Sequence, residues 1–273
     1  MVSPHASAPQ DAEDPLVSGG FSDWLGKSIA VVRRSLVPLV VIQLCVFVPV
    51  AVVVGLLGGL GAFEDAEALA PRFGFEYSLA TESAGVRLAS IVFGALGLAA
   101  SVFVVVRDAA GRAWSPGDVL GFAGRRFLPL IGWIVLSAIL TVIGFLALVL
   151  PGIYLTVVFA GALTGAVVVE RAGIGRAFAL VNPRFFGVLG RLLALFLLSA
   201  AYSVVATLVG SVPALGAVPG DPALIVSQLL INLLLIPLTV FALAAAVVLY
   251  GELRARLEPG AGTTTFADEL DRS

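Results

Sequence analysis

Few residues in this 273-residue chain have side chains suited to catalysis. Histidine occurs once, as His5, and cysteine once, as Cys45. A single imidazole in a polar tail builds no histidine-based triad or zinc site within an apolar segment. A single thiol closes no internal disulfide or thiolate cluster. No base stands near Ser137, Ser199, Ser203 or Ser227 in sequence, and neither a Walker loop nor a dinucleotide fingerprint is present. The expectation is a protein that is not an enzyme and carries no catalytic residue, metal or cofactor.

The polar residues that interrupt the apolar stretches have two readings. Gln43, Ser227, Gln228 and Asn232 either line a mid-membrane polar cavity or bond between helices, each such bond stabilising a bundle by about 1 kcal/mol. Glu170 closes one apolar stretch beside Arg171 and is a candidate interfacial acid, either paired with a basic residue or solvated. Arg33, Arg34, Arg125, Arg126, Arg176 and Arg184 are candidate contacts for anionic lipid or a protein partner. Basic residues also flank inner span ends as topological anchors, whatever the function.

The elements that must position these groups are read from charge-free runs. Residues 128 to 169 hold 42 positions without a charged side chain, with Pro151-Gly152 near the middle. A helix rises about 1.5 Å per residue and a bilayer core is about 30 Å thick, so this run is two spans joined by a tight turn at Pro151-Gly152. Further runs at 36–61, 88–106, 192–212 and 223–251 complete six spans, with 128–150 and 153–169 as the third and fourth. Hydrophobic residues form 59% of the chain and charged residues 12%, with mean hydropathy +1.07, outside the range of soluble domains.

The basic residues alternate with the spans. Fourteen of the sixteen fall on one side, and only Arg72 and Arg87 fall on the other, beside Glu64, Asp65, Glu67, Glu76, Glu82 and Asp221. The positive-inside rule then places both termini in the cytoplasm of a bacterial cell, with the chain in the cytoplasmic membrane. The net charge of −2 gives no sign of a nucleic-acid partner. Residues 1–20 have no Lys or Arg and no apolar core of a signal peptide. They read as a disordered tail, as do residues 259–273, leaving 21–258 as one membrane domain.

Three segments before the odd-numbered spans share a grammar. Arg33-Arg34 with Pro38-Leu39 echoes Arg125-Arg126 with Pro129-Leu130, and residues 173–191 form a looser third copy. Phe21, Trp24, Leu25, Ile29 and Val32 make an apolar stripe at helical spacing, as do Ile174, Ala177, Phe178 and Val181. Ser115, Pro116 and Asp118 read as the N-cap, first position and acidic first turn of a helix. The fold class expected is all-α and integral to the membrane: six transmembrane helices in three hairpins, each preceded by a short amphipathic interfacial helix. Tyr154 and Tyr250 read as interfacial anchors. Gly161-xxx-Gly165 and Gly55-xxx-Gly59 match the close-packing motif.

Leu150-Pro-Gly-Ile-Tyr-Leu-Thr-Val-Val-Phe, followed by Val167-Val-Val-Glu-Arg-Ala-Gly-Ile-Gly-Arg-Ala-Phe-Ala-Leu, resembles the bacterial glycerophosphoryl diester phosphodiesterase membrane-domain family. The Trp24 to Arg34 block and Leu249-Tyr250-Gly-Glu-Leu-Arg-Ala-Arg fit the same family, over about residues 21–258. The resemblance implies the membrane region alone, because the metal-binding carboxylates and catalytic histidines of the fused hydrolase barrel have no counterpart here. Residues 179–182, Ala-Leu-Val-Asn, and Gly251 depart from the family pattern. Two functional expectations follow. One is a non-enzymatic scaffold or assembly partner docking proteins or anionic lipids through the basic segments. The other is a transporter of lipids or small amphiphiles with a cavity near Gln43, Ser227, Gln228 and Asn232.

Overall fold

The structure, a computed structural model, describes residues 14–59, 84–216 and 222–272. Among these the chain is helical throughout, with no strand. The helices are α1 (Phe21–Gly59), α2 (Ala84–Ala109), α3 (Pro116–Ala147), α4 (Val149–Val158), α5 (Thr164–Val168), α6 (Ile174–Val181), α7 (Phe185–Gly210), α8 (Pro222–Leu257) and α9 (Thr263–Asp271). A π-helical stretch, Phe159–Leu163, joins α4 to α5, so that Val149–Val168 is one rod. Six segments are long and apolar enough to cross a membrane, which makes the chain a multi-pass membrane protein by length and composition.

Packing follows from where small residues fall. Helix α8 is the centre, against α1, α2 and α7, with Ala244, Ala245 and Val248 fully buried. Helix α2 packs between α1 and α3 through Ala95, Ala99 and Phe103. Outward faces are apolar as well: Phe196 and Leu197 of α7 and Ile139 and Ile143 of α3 are exposed. Water would not tolerate that surface, whereas lipid solvates it at no penalty.

Three expectations change on contact with the structure. The break between the third and fourth spans falls at Leu148, which is extended (φ −165°, ψ 150°), not at Pro151-Gly152. Pro151 lies in the first turn of α4, where its missing N–H is one of the donors that no helix satisfies. Gly152 instead allows close approach, since a Cβ there would lie 2.4 Å from the Phe145 ring.

The first two leading segments are joined to their spans, the first across a break and the second without one. The first runs into its span within α1, with non-helical geometry only at Ser35 (φ −109°, ψ 20°), three residues before Pro38. Pro38 removes one hydrogen bond to the preceding turn, which accounts for the kink. The second is continuous within α3, where the Ser115–Asp118 capping box forms. Helix α6 stands apart from its span through the 3-10 turn Asn182–Arg184.

Finally, the segment read as a disordered tail at 259–273 contains α9, which buries Phe266, Ala267 and Leu270. Residues 14–20 also pack: Leu16 is buried, and its carbonyl lies where a side chain at Gly251 would sit. Residues 1–13 lie outside the described residues, as do positions 63–83 of the 63–86 loop, which hold its acids.

Candidate functional site

The charged side chains converge at the end of the bundle where residues 14–20 and α9 meet the C-terminal part of α8. Glu170 follows α5 and accepts from Arg176 Nε (2.5 Å) and from the Tyr250 hydroxyl (2.7 Å). Arg176 also pairs with Glu258, and Arg254 bonds both Glu258 (3.2 Å) and Glu269 of α9. One chain of ion pairs therefore ties the end of α5 to α6, α8 and α9.

A second node is more deeply enclosed. Glu252, 2% exposed, takes Arg191 Nη2 on both oxygens (2.9 and 2.8 Å), Arg256 Nε (3.1 Å) and the Ser18 hydroxyl. A carboxylate buried this far from water is tolerated only because paired cations and hydrogen bonds replace its hydration.

A third set holds α9 against α2. Arg107 pairs with Asp271, and Arg112 with Asp268 and Asp271. Asp14 accepts from the Thr263 N–H (2.8 Å) and hydroxyl (2.5 Å), capping α9 from a distant part of the chain. Asp108 takes the Ser35 hydroxyl and Trp114 Nε1, each at 2.6 Å. The Arg112 hydrogen bond holds the Asp268 carboxyl below its ordinary range. Burial pushes Glu258 upward, but the bonds from Arg176 and Arg254 outweigh it and leave that carboxyl lowered.

Every acidic side chain among the described residues thus has a partner within the molecule, and the arginines divide accordingly. Arg176, expected to reach outward, is paired inward with Glu170 and Glu258, because α6 turns it toward α8. Arg33, Arg34, Arg125 and Arg184 are exposed with no acidic partner among the described residues. Arg184 lines a cavity of about 340 Å³ with Leu180, Pro183, Leu253, Arg256 and Leu257. Arg126 was expected at the surface and is buried, because it continues the stripe of Val119, Phe122 and Leu130.

Among the mid-membrane polar residues, Ser227 bonds between helices. The Ser227 hydroxyl donates to the Gly210 carbonyl (2.8 Å), a bond between α8 and α7. Gln43 and Asn232 are half-buried, and the Gln228 side chain lies outside the described residues. Neither Gln43 nor Asn232 lines the 340 Å³ cavity or a second one of about 200 Å³ between α2, α3 and α9. Gly161 and Gly165 face Val188 and the Tyr250 ring, so this motif packs within one chain. Tyr250, expected at the interface, is buried against Gly165.

Sequence reasoning singled out Glu170 but missed Glu252, Ser18, Asp14 and the three acids of α9. A signal was present for α9: Phe266 and Leu270 stand one helical turn apart, and Asp268, Glu269 and Asp271 surround them. Among the described residues no cluster of three or more His, Cys, Asp or Glu side chains is placed to hold a metal. The chain matches no protein-family model, no curated protein and no solved structure.

Proposed function

We propose that this chain is a non-enzymatic, six-span scaffold or assembly partner that docks acidic partners, protein or anionic lipid, through the basic end of its bundle. The observation that carries the reading is the sorting of charge. The acids at this end are neutralised internally, while Arg33, Arg34, Arg125 and Arg184 remain directed outward. An unpaired basic face attracts anionic surfaces over about a Debye length. Three helical hairpins arrange this face, with the leading parts of α1 and α3 and helix α6 at the level of lipid headgroups.

The alternation of basic residues supports a bacterial cytoplasmic membrane with both termini cytoplasmic. The motifs around Pro151, Glu170 and Tyr250 support membership of the phosphodiesterase membrane-domain family without its catalytic barrel.

The test is extraction of the full chain in native nanodiscs, followed by mass spectrometry of what accompanies it. A stoichiometric acidic protein or an enriched anionic lipid is expected. The triple variant Arg33→Gln, Arg34→Gln, Arg184→Gln should release it while keeping the melting temperature. Undiminished retention by a stably folded triple variant overturns the docking reading.

A further inference from the structure

Arg126 is the exception to the pairing rule at this end of the molecule. It is 8% exposed, and its Nε and Nη2 atoms are shut away from solvent with no hydrogen-bond partner. The charged groups that act on it, Arg171 and Arg125, carry the same sign. Its only described compensation is the face of Phe122, 5.5 Å from the guanidinium carbon, an interaction of modest strength. The other buried arginines among the described residues have an acidic partner, Arg191 in Glu252 and Arg254 in Glu269, although Arg191 Nε also makes no hydrogen bond. Buried guanidinium groups without a partner are rare, because the desolvation penalty is large.

The surroundings are closely packed. Helix α3 packs on the turn after α5 through Trp133, whose ring lies where a side chain at Gly173 would sit. In that turn Arg171 is the one non-glycine residue with positive φ (57°) among the described residues. Glycine or asparagine would adopt this geometry at less cost, yet an arginine occupies it, its Nη2 bonded to the Arg272 carbonyl (3.0 Å).

We infer that Arg126, with Arg171 and Arg125, forms a discrete site for a phosphate group, supplied by the headgroup of an anionic phospholipid. A phosphate offers several acceptor oxygens to converging guanidinium donors, and its charge supplies the partner that Arg126 lacks. The lipid is favoured as the source by position. Arg126 directly precedes the charge-free run of α3 that begins at Phe127, at the depth where a span meets the phosphates of a bilayer. This deepens the docking reading and rests on it for the nature of the surface, but uses none of the three arginines in that test.

The experiment is lipid titration of the purified full chain, read by native mass spectrometry and by melting temperature. Phosphatidylglycerol, phosphatidylcholine and inorganic phosphate are the probes. For the unaltered chain, phosphatidylglycerol should bind in one retained copy and raise the melting temperature above the phosphatidylcholine value. Arg126→Met should weaken that binding about tenfold, the effect of losing one charged hydrogen-bonded contact. Arg34→Gln should leave it unchanged.

Arg171→Gly provides a variant certain to suit the backbone. It should be as stable as the unaltered chain or more so without lipid, and should still lose the phosphatidylglycerol response. Phosphatidylglycerol affinity equal to that of the unaltered chain in both Arg126→Met and Arg171→Gly overturns the site. Stabilisation by inorganic phosphate alone, with both lipids equivalent, overturns the lipid assignment in favour of a soluble phosphate compound. Undiminished retention of the partner by the triple variant, with the lipid response lost in Arg126→Met, overturns the docking reading and leaves this site standing by itself.

Discussion

A buried carboxylate such as Glu252 has consequences that an exposed one lacks. Its oxygens accept from Arg191, Arg256 and Ser18, and Arg191 is itself nearly enclosed. Glu252→Ala strands that guanidinium, so unfolding in nanodiscs should show a loss of about 3–5 kcal/mol. Removing an exposed charge, as in Arg33→Gln, should change stability by less than about 0.5 kcal/mol in the same assay. Glu170 was legible as a chemically distinct residue because it ends a long run without charges. The burial of Arg126 was legible only in part. Phe122, Arg126 and Leu130 recur every four residues, but the neighbouring Arg125 masks that phase when the two are read as a pair.

At the level of elements, α9 is the least apolar helix in the bundle and is held by charge as much as by Phe266 and Leu270. The Asp268 and Glu258 carboxyls titrate below their unfolded values, so their contribution is present above the unfolded range and is lost as pH falls through the folded one. Protease cleavage at the 258–262 connection, followed across pH, should therefore stay slow at neutrality. It should accelerate below about pH 4, where unfolded carboxylates begin to protonate. The α3–α4 contact makes a different demand, on volume. Gly152→Val drives a side chain into the Phe145 ring and should lower stability by about 1–3 kcal/mol, measured by thermal unfolding. Spans were legible because lipid thickness fixes their length. The turn was misplaced because proline is as well suited to the first turn of α4 as to a loop. The difference between the first two leading segments was hidden, since Pro38 and Pro129 look alike in sequence, yet α1 breaks at Ser35 and α3 runs on without a break.

For the whole molecule, six spans put residues 14–20 and α9 on one side and residue Leu215 on the other. In a Cys45→Ser background, Arg272→Cys should label with an impermeant maleimide only from the cytoplasmic face and Leu215→Cys only from the outer face. The reverse pattern would invert the orientation read from the arginines. Fold class was the most legible property, because an apolar surface of this extent has one compatible solvent. The closing of the charged end was not legible, since it depends on pairs far apart in sequence. Arg107 meets Asp271 across 164 positions, and Arg112 meets Asp268 across 156. That separation sets a timetable during synthesis. While the ribosome is still producing the later spans, Arg107 and Arg112 have no acidic partner and can hold their loop on the side where it emerged. Their countercharges, Asp268 and Asp271, follow the sixth apolar segment in the chain and so are translated after it. The same side chains act first as a retention signal and then as a latch, and the order of translation keeps the two roles from interfering.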